Sequence, residues 1–161
     1  MDFQPGDILL FRVSSSSNWL DKLIGWGQRV IREAPTNAAY CHVALVGPDG
    51  EHLYEAKWPK IHNIPINVNA LQKNIILETY RVKGISGPEI RLVMDYARDH
   101  VGRHYDVLAL LTFGYVQMGR SAVCSQFVWE AFTAAARVLC PYKDLTSPDD
   151  IAASPLLEKV A

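Results

Sequence analysis

Apolar positions recur along this chain with two different periods, and the switches between them mark out its elements. DILLFRV (7–13) is a nearly unbroken apolar run opened by the Pro5-Gly6 turn, and it predicts a buried strand. SSSSN (14–18) reads as a polar loop, with Asn18 and Asp21 spaced like a capping box. Leu20, Leu23, Ile24, Gly27, Val30 and Ile31 then fall at helical spacing and predict an amphipathic helix over 19–33, ended by Pro35. The clearest hairpin signal follows: CHVALV (41–46) and EHLYEA (51–56) flank the turn GPDG (47–50). WPKIHNIPI (58–66), with its prolines, reads as a loop, and IILETYRV (75–82) as a further strand.

From there the pattern turns helical. Pro88 suits a first helical position, Leu92, Val93, Tyr96, Ala97 and Val101 form one face, and Gly102 closes the helix. Helices are expected over 106–118 and 124–139, and SPDDI (147–151) opens a short terminal turn. Strands first and helices afterwards imply an α+β fold, an antiparallel sheet packed on helices. No repeat, low-complexity tract or Ser/Gly linker divides the chain, so residues 1–161 are expected to form a single domain.

A chain of 161 residues buries roughly 70% of its unfolded surface, enough for a core without staples. Its 49% apolar and 20% charged residues are ordinary for a globular enzyme. The net charge of −1 gives no reason to expect nucleic acid, an anionic membrane or a polycationic partner. The longest apolar stretch, VLALLTFGYVQM (107–118), suits a buried helix and is too short for a bilayer core ~30 Å thick. MDFQPGDILLF lacks the basic start of a signal peptide, so the chain as written is expected in the cytoplasm. Cys41, Cys124 and Cys140 are an odd number without CxxC spacing or a His-rich tract. They favour a reducing compartment, or a thiol with chemistry of its own, over a disulfide framework or zinc site.

Cys124 is the candidate for that chemistry. In SAVCSQFVWEAF the residues Phe127, Val128, Ala131, Phe132 and Ala135 are helically spaced, which puts the cysteine at or near a helix N-terminus. Unpaired N–H groups and the positive end of the helix dipole favour thiolate there, and can hold an oxyanion. A small buried hydrophobe is the bland alternative.

The hairpin carries a second pair. With Pro48 and Asp49 as its loop, Gly47 meets Gly50 and His42 faces Glu55, side chains ~5 Å apart. A bulge at Gly50 would instead set Ala56 against His42. A carboxylate beside an imidazole fixes its tautomer and stabilises its charged form. The alternative, an exposed ion pair, sits poorly among Val43, Leu45 and Leu53.

Weaker candidates surround these. Trp58, Tyr105 and Ser125 are the expected substrate contacts, and His62 lies with Trp58 in the 58–66 loop. His104 in GRHYD either approaches the site or faces solvent, while His52 and His100 read as surface positions. Cys41 should point away from the His42 face and Cys140 ends a helix before Pro141, so both read as structural. Tyr105 and Asp106 most simply start a helix, with Asp106 as its cap.

GDILLF, CHVALVG with LYEA, GRHYD, AVCSQFVWEAF and the closing SPDDIAASPLL together resemble the circularly permuted branch of the papain-like NlpC superfamily. That branch includes YiiX-like hydrolases and relatives of lecithin:retinol acyltransferase. In ordinary papain-like enzymes the cysteine helix comes first; the order here, His strand, acidic strand and then Cys helix, is that of the permuted group. The resemblance covers nearly the whole chain. It implies a permuted papain-like fold, Cys124 as nucleophile, His42 as base and Glu55 as the third polar residue.

The activity expected is acyl transfer through a thioester, with no metal or organic cofactor. The acyl donor is a peptide, a peptidoglycan fragment or an acyl lipid, and amide cleavage is preferred over ester. A cell-wall substrate would require separate delivery, by a phage lysis system or a secretion apparatus. The rivals are a non-catalytic module holding an acyl or peptide ligand, and a redox or metal protein using Cys41, His42 and another cysteine.

Overall fold

Ile8–Arg12 (β1), Tyr40–Val46 (β2), His52–Lys57 (β3), Lys60–Pro65 (β4), Leu77–Val82 (β5) and Leu157–Lys159 (β6) form one antiparallel sheet. Their order across it is β4-β3-β2-β1-β5-β6. Gly87–Asp99 (α1), Cys124–Ala134 (α2) and Pro148–Ala152 (α3) complete an α+β fold. The computed structural model describes residues 2–12, 40–66, 77–106, 123–141 and 146–160, with the backbone alone of Cys41. The helices expected over 19–33 and 106–118, and the side on which Cys41 points, lie outside the described residues. Among the described residues no helix is long and apolar enough to cross a membrane.

β1 is apolar from Ile8 to Phe11 because that stretch is buried on both faces. Ile8 and Leu10 join Val43, Leu45, Tyr54 and Ala56 in the core that receives α1 and α2. Leu9 and Phe11 point the other way, into a second cluster with Ala44, Val46 and Leu53. The expectation of one packed face therefore captures the larger cluster and omits the smaller one. α2 contributes the bulk of the first core: Phe127, Val128, Ala131 and Phe132 are fully buried, each large side chain contributing about 1.5–3 kcal/mol by leaving water.

Local chemistry fixes the helix ends. Ser86 and Glu89 form a capping box at α1, and Ser147 and Asp150 form another at α3. α2 stops at Ala134, short of the expected residue 139, because Ala136 adopts φ 57. Arg137 N–H donates to Phe132 O and Ala136 N–H to Thr133 O, a Schellman ending with alanine where glycine is usual.

Other expectations need correction. Residues 58–66 are not a loop: β4 pairs along the whole of β3, from His52–Pro65 to Lys57–Lys60. The prolines that suggested a loop stand in the Trp58–Pro59 turn and at the end of the strand, where no ladder N–H is needed. Tyr105 does not start a helix. The 102–105 segment runs along β4, with Ile61 N–H donating to Arg103 O and Tyr105 N–H to Pro59 O. Val93 and Ala97 are buried as expected, but Leu92 and Val101 are exposed, and Met94 completes the buried face of α1 in their place. β6 was not foreseen at all.

Candidate active site

The β2–β3 hairpin sets the first two site residues, in a register different from the one expected. Leu45 pairs with Tyr54 and Val46 with Leu53, and Gly47 N–H donates to His52 O. The loop therefore runs over Pro48–Glu51. Asp49 holds it closed by accepting from the N–H groups of Glu51 and His52. Gly50 is required in it: φ is 71, and a Cβ there would lie 2.7 Å from Phe3 O. Relative to expectation the pairing slides by two residues, which preserves the face on which each side chain stands. Continued along the strands, this register opposes Glu55 to Ala44 and leaves His42 one diagonal step away. His42 Nε2 nonetheless lies 2.9 Å from Glu55 Oε2.

Cys124 reaches this pair through a fork in the sheet. Val46 N–H donates to Asp7 O on the β1 side, so by alternation Val43 N–H points toward β3. The β2–β3 ladder consists of the Leu45–Tyr54 and Val46–Leu53 pairs, and at Val43 the strands have parted. Into this opening α2 directs its first residue. The Cys124 side chain hydrogen-bonds to His42 and accepts from the N–H groups of Val43 and Ser125. With Nε2 engaged by Glu55, Nδ1 is the ring nitrogen left for the sulfur. The N-cap, Val123, offers no side-chain acceptor, so the sulfur itself serves one of the open N–H groups of the helix start.

The electrostatics follow from these contacts. Burial alone would disfavour the imidazolium, but the charge and hydrogen bond of Cys124, then those of Glu55, raise the His42 pKa to about 10. Burial likewise pushes the Cys124 thiol up; His42 and the two N–H groups outweigh it and hold the thiol below its ordinary value. For Glu55 burial also opposes ionisation, and His42, followed by Lys57 and His62, keeps its pKa low. These contacts favour a thiolate–imidazolium pair backed by a carboxylate. The Glu55 side chain is 10% exposed and that of His42 22%, with the His42 ring against Phe11 at 5.3 Å between centroids.

α2 is held firmly enough to aim its first residue. Ser125 Oγ is buried and donates to Thr146 O, so Ser125 can offer the site its N–H but not its hydroxyl. Arg103 and Tyr96 both bond Glu130 of α2. Trp58, 65% exposed, stands on the β3–β4 turn. Tyr105 is buried in the core with Cys124. The Val43 donor was missed by sequence reasoning, since a main-chain N–H leaves no mark in the residue types.

A search of solved structures finds the same fold in the crystal structure of metalloprotein yiiX from Escherichia coli O157:H7. The TM-score is 0.72 at 17% identity, and the match covers 100% of this chain and 98% of that one. No family model matches the chain, and no curated protein matches it.

Proposed function

We propose that this protein is a cysteine hydrolase of the permuted papain-like type that cleaves an amide bond through a thioester on Cys124. The observation that carries the reading is the unbroken chain from the Cys124 sulfur through the His42 ring to the Glu55 carboxylate, assembled at a helix N-terminus. The thiolate attacks the carbonyl carbon, and the N–H groups at the start of α2 receive the oxyanion. His42 gives its proton to the leaving amine as the C–N bond breaks. It then takes a proton from water, whose oxygen attacks the thioester and releases the acid and the thiolate. Glu55 keeps the ring oriented and offsets its charge. A peptide or peptidoglycan-stem amide suits this chemistry, and a lipid ester would be attacked by the same steps.

The YiiX structure is described as that of a metalloprotein, and Cys, His and Glu are all possible ligands. Here, however, they bond to one another in series, so the lone pairs a metal would need are directed at neighbouring side chains. Among the described residues no three His, Cys, Asp or Glu side chains converge as ligands would. The described residues do not fit a metal centre, and no step above runs through one.

Incubation with muropeptides and, separately, with phospholipids tests the proposal. Products that appear with the intact protein and vanish with Cys124→Ala are expected from the muropeptides. Identical product patterns from both proteins would refute catalysis and favour a binding module.

A further inference from the structure

On the face of the sheet that carries His42 and Glu55, basic side chains outnumber acidic ones among the described residues, and the one carboxylate in their midst, Glu55, is bonded to His42. In the β3–β4 register Glu55 stands opposite His62 and Lys57 opposite Lys60. His104 is bridged in turn to Lys60. Directly opposed residues share a face, so Lys57, Lys60, His62 and His104 stand on the same side as Glu55. Lys57, Lys60 and His104 are exposed and His62 is half-buried. Among the described residues neither lysine has an acidic partner within salt-bridge distance, while Glu55 is taken by His42.

Like charges directly across an antiparallel pair destabilise it. With a net charge of −1 the chain has no general excess of base, so this concentration is local. It begins at the residue paired with Glu55, close enough for Lys57 and His62 to act on that carboxylate. Trp58 projects from the turn between the lysines, 65% exposed.

We propose that Lys57, Lys60, His62 and His104 form an anion-binding subsite, which recognises an acidic group, carboxylate or phosphodiester, on the acyl substrate beside the scissile bond. The inference rests on the hydrolase reading for its substrate, but not for its geometry. A carboxylate would come from a peptide stem and a phosphodiester from a lipid headgroup; both are oxygen anions that two ammonium groups and two imidazole N–H donors can hold.

Alkylation of Cys124 tests the subsite without any turnover. The rate ratio of iodoacetate, an anion, to iodoacetamide, its neutral counterpart, should fall at least threefold from the intact protein to Lys57→Gln/Lys60→Gln at low ionic strength. An equal ratio in both proteins overturns the proposal. The double variant should melt at or above the temperature of the intact protein; a lower one would give the lysines a structural role and also overturn it. Turnover of p-nitrophenyl hexanoate, mono-p-nitrophenyl adipate and an analogue ending in a methyl phosphodiester then identifies the source. Preference for the adipate points to a peptide and for the phosphodiester to a lipid, and either preference should shrink in the double variant. Equal turnover of all three sinks the subsite and leaves the hydrolase standing. No Cys124-dependent turnover of any ester counts against the hydrolase, while the alkylation ratio still decides the subsite.

Discussion

Glu55 stands one diagonal step from His42 across the β2–β3 hairpin, and its Oε2 still meets His42 Nε2 at 2.9 Å. A contact of this kind depends on the carboxylate's charge as well as its shape. Glu55→Gln keeps the shape and removes the charge, so the His42 pKa should fall and that of Cys124 should rise. A loss of roughly tenfold to a hundredfold in kcat/KM is expected. Iodoacetamide labelling of Cys124 across pH should show its midpoint moved upward; an unmoved midpoint would remove Glu55 from the proposed triad.

The pH dependence has a definite sign. Thiolate and imidazolium coexist between the lowered Cys124 value and about 10, where His42 loses its proton. Activity should therefore persist well above neutrality, with its alkaline limb near pH 10 rather than near the ordinary histidine value of ~6.5. The stability contributed by charged His42 follows the same course. Because its folded pKa is raised, that contribution is complete below ~6.5 and is lost as pH rises through about 10. An alkaline limb at neutral pH would contradict the ion pair.

Loss of function should be separable from loss of fold. Cys124→Ser places a hydroxyl at a helix start that tolerates it, and unfolding by urea should change by about 1 kcal/mol or less. Turnover should disappear in this variant, and His42→Ala should remove most of it. Full activity in either would end the catalytic reading.

Ala136 offers a test of the fold alone. An alanine at φ 57 bears a steric cost of about 1–2 kcal/mol that glycine does not. Ala136→Gly should raise stability by about 0.5–1 kcal/mol, measured as a higher urea midpoint at an unchanged slope. A fall in the midpoint would show that the alanine methyl group contributes more by packing than it costs by strain.

What the sequence revealed and what it concealed divide along physical lines. β1 and the β2–β3 hairpin were legible because strand periodicity and the Pro48-Asp49-Gly50 turn are local signals. So was the face shared by His42 and Glu55, which survives any even slide of register. The slide itself was not legible, because it depends on Asp49 accepting two main-chain N–H groups. β4 was hidden by Pro59 and Pro65, whose places outside the ladder appear only once the strands are paired. The early end of α2 was hidden in the same way: no propensity distinguishes Ala136 from the alanines before it. The approach of Cys124 to His42 rests on the parting of β2 from β3, a long-range event without a local pattern.

The N–H that Val43 turns toward the Cys124 sulfur has a consequence for how this site can vary over time. Because the donor belongs to the main chain, every residue except proline supplies it, and drift at position 43 is governed by the core that Val43 fills. Isoleucine or leucine there would preserve the hydrogen bond, whereas proline would delete it. Such a donor would persist through those changes with no side chain to mark it, and replacing the amide at position 43 by an ester would expose its contribution directly.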